Sequence, residues 1–251
     1  KRTVVKKIAE LIATPKEIIV ISHVNPDGDA VGSVLALYGI LKQEHHYVKM
    51  ILPNNFPSFL SWLPYSNEIF VFSDKPTECE QAFQCAELIF CLDFNDLSRL
   101  DEAAKPYSAS KAVKILIDHH LQPSSFTDYT ISQVKTSSTS ELIYDLITAL
   151  GKNKLMDKNV AECLYTGIVT DTGSFSYACN YRKTYKVISE LYKQQIDGER
   201  IHRLVYDTYS EDRMRLLGYC LSERLTVIHS LKTAYIRLTN DDLLKFNYKN
   251  G

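Results

Sequence analysis

Four separated points of this sequence put acidic and imidazole side chains directly after apolar runs. EIIVIS (17–22) leads into HVNPDGDAVGS, which carries His23, Asp27 and Asp29. ELIFCL (87–92) is followed by Asp93, and AVKILI (112–117) by Asp118, His119 and His120. A helical stretch ending in TGIVT runs into Asp171, in DTGSF. A core has no use for such groups, but in open α/β sheets the loops beyond the strands' carboxyl ends share a crevice where ligands bind. Gathering Asp27, Asp29, Asp93 and Asp171 there would crowd negative charges that oppose one another's ionisation. Two divalent cations would cancel them. Carboxylates with a minority of imidazoles suit Mn2+ or Mg2+ better than the thiolate sets of structural zinc. Paired ions about 3.5–4 Å apart are the usual clamp for phosphoryl displacement, so the expected chemistry is that of a dinuclear phosphoesterase.

Spacing inside the first motif supports this. Gly28, between two aspartates, allows a tight turn, and Gly32 permits close approach of a helix to the sheet. A helix starting near Asp29 would aim free N–H groups at an anion. Taken singly, the same residues have plainer readings: Asp29 is a preferred N-cap type, and Asp93 an ordinary turn residue after a strand. His45 and His46, beside Gln43 and Glu44, read as a solvated helix end, and His202 and His229 lack acidic partners at ligand spacing and read the same way. Ser137, Ser138 and Thr139 could meet a phosphate at a helix start, but capping accounts for them equally, so they stay outside the expected site.

The elements that must position these groups alternate. Near-continuous β-branched or apolar runs are expected as strands at 17–22, 47–52, 69–72, 87–92 and 112–117. Helical periodicity covers 29–43, 138–150 and 157–170, with Ser138 and Glu141 spaced as a capping box. Strands covered on both faces and alternating with helices imply an α/β fold with a mostly parallel, doubly wound sheet. Beyond about residue 181 the pattern turns helical and more charged. The expected organisation is a catalytic domain over 1–187, a helical connector over 188–226, and over 227–251 one strand and one helix opening a smaller C-terminal α/β domain.

Composition adds limits. The chain has 251 residues and a formal net charge of −1, so bulk electrostatics demand neither nucleic acid nor membrane. Its 6 cysteines form no CxxC pair and are expected to be reduced. No apolar run reaches transmembrane length, and KRTVVKKIAELIATP reads as an amphipathic helix rather than a secretory signal, which makes a cytoplasmic location the expectation. The 16 tyrosines are scattered and read as packing residues, not as a stacking platform.

In this order, HVNPDGDAVGS, LDFND, IDHH and DTGSF resemble the four motifs of the DHH family of phosphoesterases, over roughly residues 15–180. The form HxxPDGDAxGS is similar to the branch of oligoribonucleases and 3′-phosphoadenosine 5′-phosphate (pAp) phosphatases, whose members are often labelled exopolyphosphatase-related. The resemblance implies one metal on His23, Asp27 and Asp93 and a second on Asp29, Asp93, His119 and Asp171. It also implies His120 as general acid or charge stabiliser, Asp118 orienting a neighbouring histidine, and Arg99 in a substrate or structural contact. Two Mn2+ ions, with Mg2+ or Co2+ as substitutes, would be the cofactors. Short RNA oligonucleotides or pAp would be the substrates, without membrane partners and with a homodimer as the assembly to test. Rival readings are a cyclic-dinucleotide phosphodiesterase, a pyrophosphatase or exopolyphosphatase, and a non-catalytic nucleotide-binding module. The family's glycine-rich GGGH-type C-terminal motif does not occur in these residues, so the last domain is expected to be incomplete.

Overall fold

The computed structural model describes residues 2–248; Lys1 and positions 249–251, the end of the expected 227–251 segment, lie outside the described residues. The first elements are α1 (Arg2–Leu11), β1 (Glu17–Ile21), α2 (Gly28–Gln43), β2 (Tyr47–Leu52), β3 (Phe70–Val71), α3 (Pro76–Cys85), β4 (Leu88–Leu92), α4 (Ala104–Ala109), β5 (Val113–Asp118) and β6 (Tyr129–Ser132). They are followed by α5 (Thr139–Ala149), α6 (Lys158–Asp171), α7 (Arg182–Tyr192), α8 (Gly198–Tyr206), α9 (Glu211–Tyr219), β7 (Leu225–Ile228), β8 (Thr233–Ile236) and α10 (Asn240–Lys245). Two compact units divide them, one running to Val205 and the other starting at Tyr206.

The first unit is built on a six-stranded sheet of order β3-β2-β1-β4-β5-β6, parallel at every pairing. The chain winds outward from β1 to β3, then returns to β4 and winds the other way. The switch between β1 and β4 parts the connecting loops and opens a crevice at the strands' carboxyl ends. The continuous apolar runs are explained by cover on both faces. On one face Ile19, Ile21, Ile89, Cys91 and Leu116 join Cys79 and Phe83 of α3 and Tyr107 of α4 in a buried cluster. On the other, α2 lies on β1, β2 and β4 and packs against α5 and α6. A Cβ on Gly32 would fall 2.5 Å from the Cys163 carbonyl oxygen and 3.0 Å from the Gly167 nitrogen, so α2 and α6 cross backbone against backbone.

The parallel doubly wound sheet agrees with the expectation, with departures in detail. The 69–72 strand shrinks to Phe70–Val71. The edge strand β6 and helix α3 were not anticipated: β6 buries only Ile131, and α3 buries only Cys79, Ala82 and Phe83, too few apolar positions to make a pattern. His46 is not a solvated end; it is buried and accepts a hydrogen bond from the Lys16 N–H (3.2 Å). All six cysteines are free.

In the second unit α9 runs into a π-helical turn, Cys220–Arg224, then into the antiparallel β7–β8 hairpin and α10. The hairpin adds a strand, β7, to the single strand expected there. Thr239 and Asp242 form a capping box at the start of α10. Among the described residues no helix is long and apolar enough to cross a membrane.

Candidate metal centre

β1 ends at Ile21, and His23 follows it into the crevice, buried, with Nδ1 2.8 Å from the Val24 carbonyl oxygen. A proton on Nδ1 satisfies that carbonyl and leaves Nε2 with a free lone pair, the usual arrangement behind a ligating imidazole. Asp27 is the N-cap of α2: its Oδ1 accepts from the N–H groups of Asp29 and Ala30, each at 3.0 Å. The capping role considered for Asp29 therefore belongs to Asp27. Asp29 sits inside the first turn, fully buried, and reaches across to α5, where Oδ2 accepts from the Thr139 N–H (2.6 Å) and Oδ1 from the Ser140 N–H (2.8 Å).

Asp93 closes β4 with φ +67°, a left-handed conformation that aspartate tolerates better than bulkier residues. This turn aims the carboxylate into the crevice. Its Oδ2 lies 3.6 Å from His23 Nε2 and its Oδ1 3.5 Å from His119 Nε2, while Thr139 Oγ1 donates to Oδ1 at 2.8 Å. Asp171, the last residue of α6, brings Oδ2 to 3.4 Å from His119 Nε2.

These spacings suit a metal better than a hydrogen-bond network. Two donors about 2.1 Å from one ion and at right angles stand about 3.0 Å apart, and further apart at wider angles. Asp171 Oδ2 is buried with no hydrogen-bond partner among the described residues, an orphaned acceptor that a cation would satisfy. Three overlapping sets could each hold an ion: His23, Asp27 and Asp93; Asp29, His119 and Asp171; and Asp93, His119 and His120. Electrostatics agree. Burial drives Asp93 well above the usual carboxylate range, and the charges of Asp29, Asp27 and Asp171 drive it further. Burial, then Asp29 and Asp27, push Asp171 up to about 8. Burial also raises Asp29, against the pull of His119 and of hydrogen bonds from Ser140. Without a cation the cluster resists holding its full charge.

The histidines divide. Burial lowers both His23 and His119, which keeps each neutral and able to offer a lone pair. His120 goes the other way: its hydrogen bond to Asp118 raises it. Nδ1 of His120 stands 2.7 Å from Oδ1 of the buried Asp118, whose Oδ2 also accepts the His120 N–H at 3.1 Å. The histidine oriented by Asp118 is thus His120. Its side chain is 44% exposed, next to His119 at a ring separation of 4.7 Å. Arg99 places Nη2 3.0 Å from His23 Nδ1 and its charge opposes protonation of both His23 and His120. The Val24 carbonyl and Arg99 compete for Nδ1; with the proton donated to Val24, the guanidinium is a charged neighbour of that nitrogen rather than its donor.

Thr139 and Ser140 touch the cluster, yet their sequence signal is that of a helix start and nothing more. The expected capping box there is half-formed: Ser138 Oγ accepts from the Glu141 N–H (3.1 Å), but the Glu141 carboxylate turns to Ser137 and to Thr184 of α7. His202 also departs from the solvated reading, with Nε2 2.9 Å from Ser174 Oγ in the DTGSF loop. In that loop Gly173, Ser174 and Phe175 all have positive φ.

Comparison with known proteins follows the same residues. The chain is 30% identical over 246 residues to a protein of Streptococcus mutans named probable bifunctional oligoribonuclease and PAP phosphatase NrnA, covering 98% of this chain and 73% of the relative. It is 31% identical over 193 residues to the bifunctional oligoribonuclease and PAP phosphatase NrnA of Bacillus subtilis, covering 76% of this chain but only 57% of that protein. A crystal structure of an exopolyphosphatase-related protein from Bacteroides fragilis superposes with a TM-score of 0.96 at 43% identity, over 100% of this chain and 74% of its own. The family model described as DHH family, N-terminal domain, matches residues 17–168, a span that holds every expected site residue except Asp171. The chain belongs to the DHH family.

Proposed function

We propose that this chain is a phosphoesterase with a centre for two divalent ions, acting on short oligoribonucleotides and on pAp. The observation that carries the reading is Asp93, whose two oxygens face different neutral imidazoles, His23 at 3.6 Å and His119 at 3.5 Å, so that one buried acid belongs to two ligand sets. His23, Asp27 and Asp93 would hold one ion, and Asp29, Asp93, His119 and Asp171 the other. Such a pair neutralises phosphoryl oxygens and lowers the pKa of bound water. An oxygen-rich donor set with imidazoles and no thiolate favours Mn2+, with Mg2+ or Co2+ as substitutes.

The chain's own groups supply the rest. His120, whose charged form is favoured by Asp118, stands half-exposed beside the cluster and serves the leaving oxygen as proton donor or meets the charge that develops on it. Since Asp118 engages Nδ1, the proton to be given is the one on Nε2. Arg99 keeps positive charge at the rim and adds to burial in disfavouring the charged form of His23.

The names of the S. mutans and B. subtilis relatives support the choice of substrates. The test is Mn2+-dependent release of mononucleotide from a labelled diribonucleotide, with pAp and pyrophosphate run in parallel. Turnover of the dinucleotide or pAp is expected. Turnover of pyrophosphate alone would overturn the substrate class, and metal binding without any turnover would leave a nucleotide-binding module.

A further inference from the structure

Helix α5 begins against the cluster in an unusual way. Ser138 is its N-cap, and its Oγ takes the Glu141 N–H, the third amide of the helix. The first two amides, of Thr139 and Ser140, go instead to the two oxygens of Asp29, a residue 110 and 111 positions away. Amides at a helix start carry the positive end of the helix dipole and favour a carboxylate. Each uses one lone pair of an Asp29 oxygen and leaves another directed elsewhere. Thr139 does a second thing: its hydroxyl donates to Asp93 Oδ1 at 2.8 Å. That oxygen is the one facing His119, not the one facing His23. A single residue therefore ties Asp29, from the start of α2, to Asp93, from the end of β4.

We propose that Thr139 is a positioning residue for the metal centre, its N–H and O–H together fixing Asp29 and Asp93 as ligands of the ion shared with His119 and Asp171. The assignment rests on the two-ion reading given above.

The surroundings hold Thr139 in place. Thr139 is fully buried, and the residues before it are anchored by the Glu141 carboxylate, which accepts from Ser137 Oγ (2.6 Å) and from Thr184 Oγ1 of α7 (2.7 Å). Lys183 Nζ lies 2.9 Å from the other Glu141 oxygen. The backbone of α6 comes close to the same groups at Gly167, where a Cβ would meet Ser140 Oγ at 2.0 Å and Asp29 Oδ1 at 2.8 Å.

Two variants separate the hydroxyl from the shape. Thr139→Val keeps the branched side chain and the N–H but removes the donor to Asp93; Thr139→Ser keeps the donor. Mn2+ binding is measured directly on metal-stripped protein by calorimetry, with thermal melts of the metal-free variants to compare their folding. The expected result is that Thr139→Val weakens one of the two Mn2+ equivalents about 10–100-fold, the range for removal of a hydrogen bond behind a ligand. The other equivalent is unchanged, and Thr139→Ser binds both like the original. Two Mn2+ bound by Thr139→Val with the original affinities would overturn the proposal. So would an equal loss in both variants, which would make the role one of packing. If the unaltered chain takes up no divalent ion, the two-ion reading itself fails, an outcome visible before either variant is measured.

Discussion

Nδ1 of His120 lies 2.7 Å from Oδ1 of Asp118, and this contact sets His120 apart from its neighbour His119. Two adjacent imidazoles, 4.7 Å apart, are pushed in opposite directions: burial lowers His119, while the Asp118 carboxylate raises His120. Environments that separate the pKa values of like groups mark a division of labour. Burial favours the neutral form of one imidazole, and the Asp118 carboxylate favours the charged form of the other.

His120→Ala is accordingly expected to lower kcat about 10²–10⁴-fold, the usual worth of a placed general acid, while both Mn2+ equivalents still bind. Asp118→Asn removes the charge that favours imidazolium, so the His120 pKa, followed by NMR, drops from its raised value and kcat falls with it. Loss of a metal equivalent in His120→Ala would instead make His120 a ligand, as the Asp93, His119 and His120 set allows.

Asp171 predicts a pH dependence of the metal-free protein. Its carboxyl is pushed from an ordinary 3.8 to about 8 in the folded chain. Between these values the folded state binds more protons at this group than the unfolded one, so the contribution of Asp171 to stability is greatest at low pH and is lost as pH rises from about 4 to about 8. This group alone gives a slope approaching about 1.4 kcal/mol per pH unit in the middle of that window. Urea titrations in chelator at several pH values should show the decline, and Asp171→Asn should flatten it. An identical slope in the variant would assign the effect elsewhere in the cluster.

Metal removal is expected to lower stability. An ion that binds only the folded chain stabilises it by about 2.7 kcal/mol per site at a hundredfold excess over Kd. At about 2–4 °C per kcal/mol for a domain of this size, saturation with Mn2+ should raise Tm by several degrees over the chelated protein. Coincident melting curves would argue that the cluster does not bind the ion.

Gly167→Ala sets two effects against each other. Alanine in a helix gains about 1 kcal/mol over glycine, but here its Cβ would fall 2.0 Å from Ser140 Oγ and 2.8 Å from Asp29 Oδ1. Overpacking of this kind costs about 1–3 kcal/mol, so net destabilisation is expected in denaturant titrations. Adding Ser140→Ala should recover part of it, since that removes the closest clash and leaves those with Asp29 Oδ1 and the Cβ of residue 140, each at 2.8 Å. A single variant as stable as the original would mean that α5 and α6 can part.

Much of this architecture was legible locally. Runs such as EIIVIS and ELIFCL fit covered strands, and each ends where an acid or imidazole begins. The short edge strand β6 and the amphipathic α3 were not legible, because neither buries enough apolar residues to leave a pattern. Which of Asp27 and Asp29 caps α2 was not legible for a related reason: both are aspartates, which cap well, and a shift of two positions decides which carboxylate turns inward.

The sequence by itself determined the alternation of strands and helices, the identity of the clustered acids and imidazoles, and the family they resemble, since periodicity and motif spacing are properties of neighbouring residues. Only the tertiary structure decided which oxygen of Asp93 faces which histidine, that the Asp118 carboxylate engages His120 and not His119, and that Thr139 reaches both Asp29 and Asp93. Those relations join residues far apart in the chain. Their physical causes are burial, hydrogen-bond direction and the crossing of α2, α5 and α6, none of which exists until the helices pack.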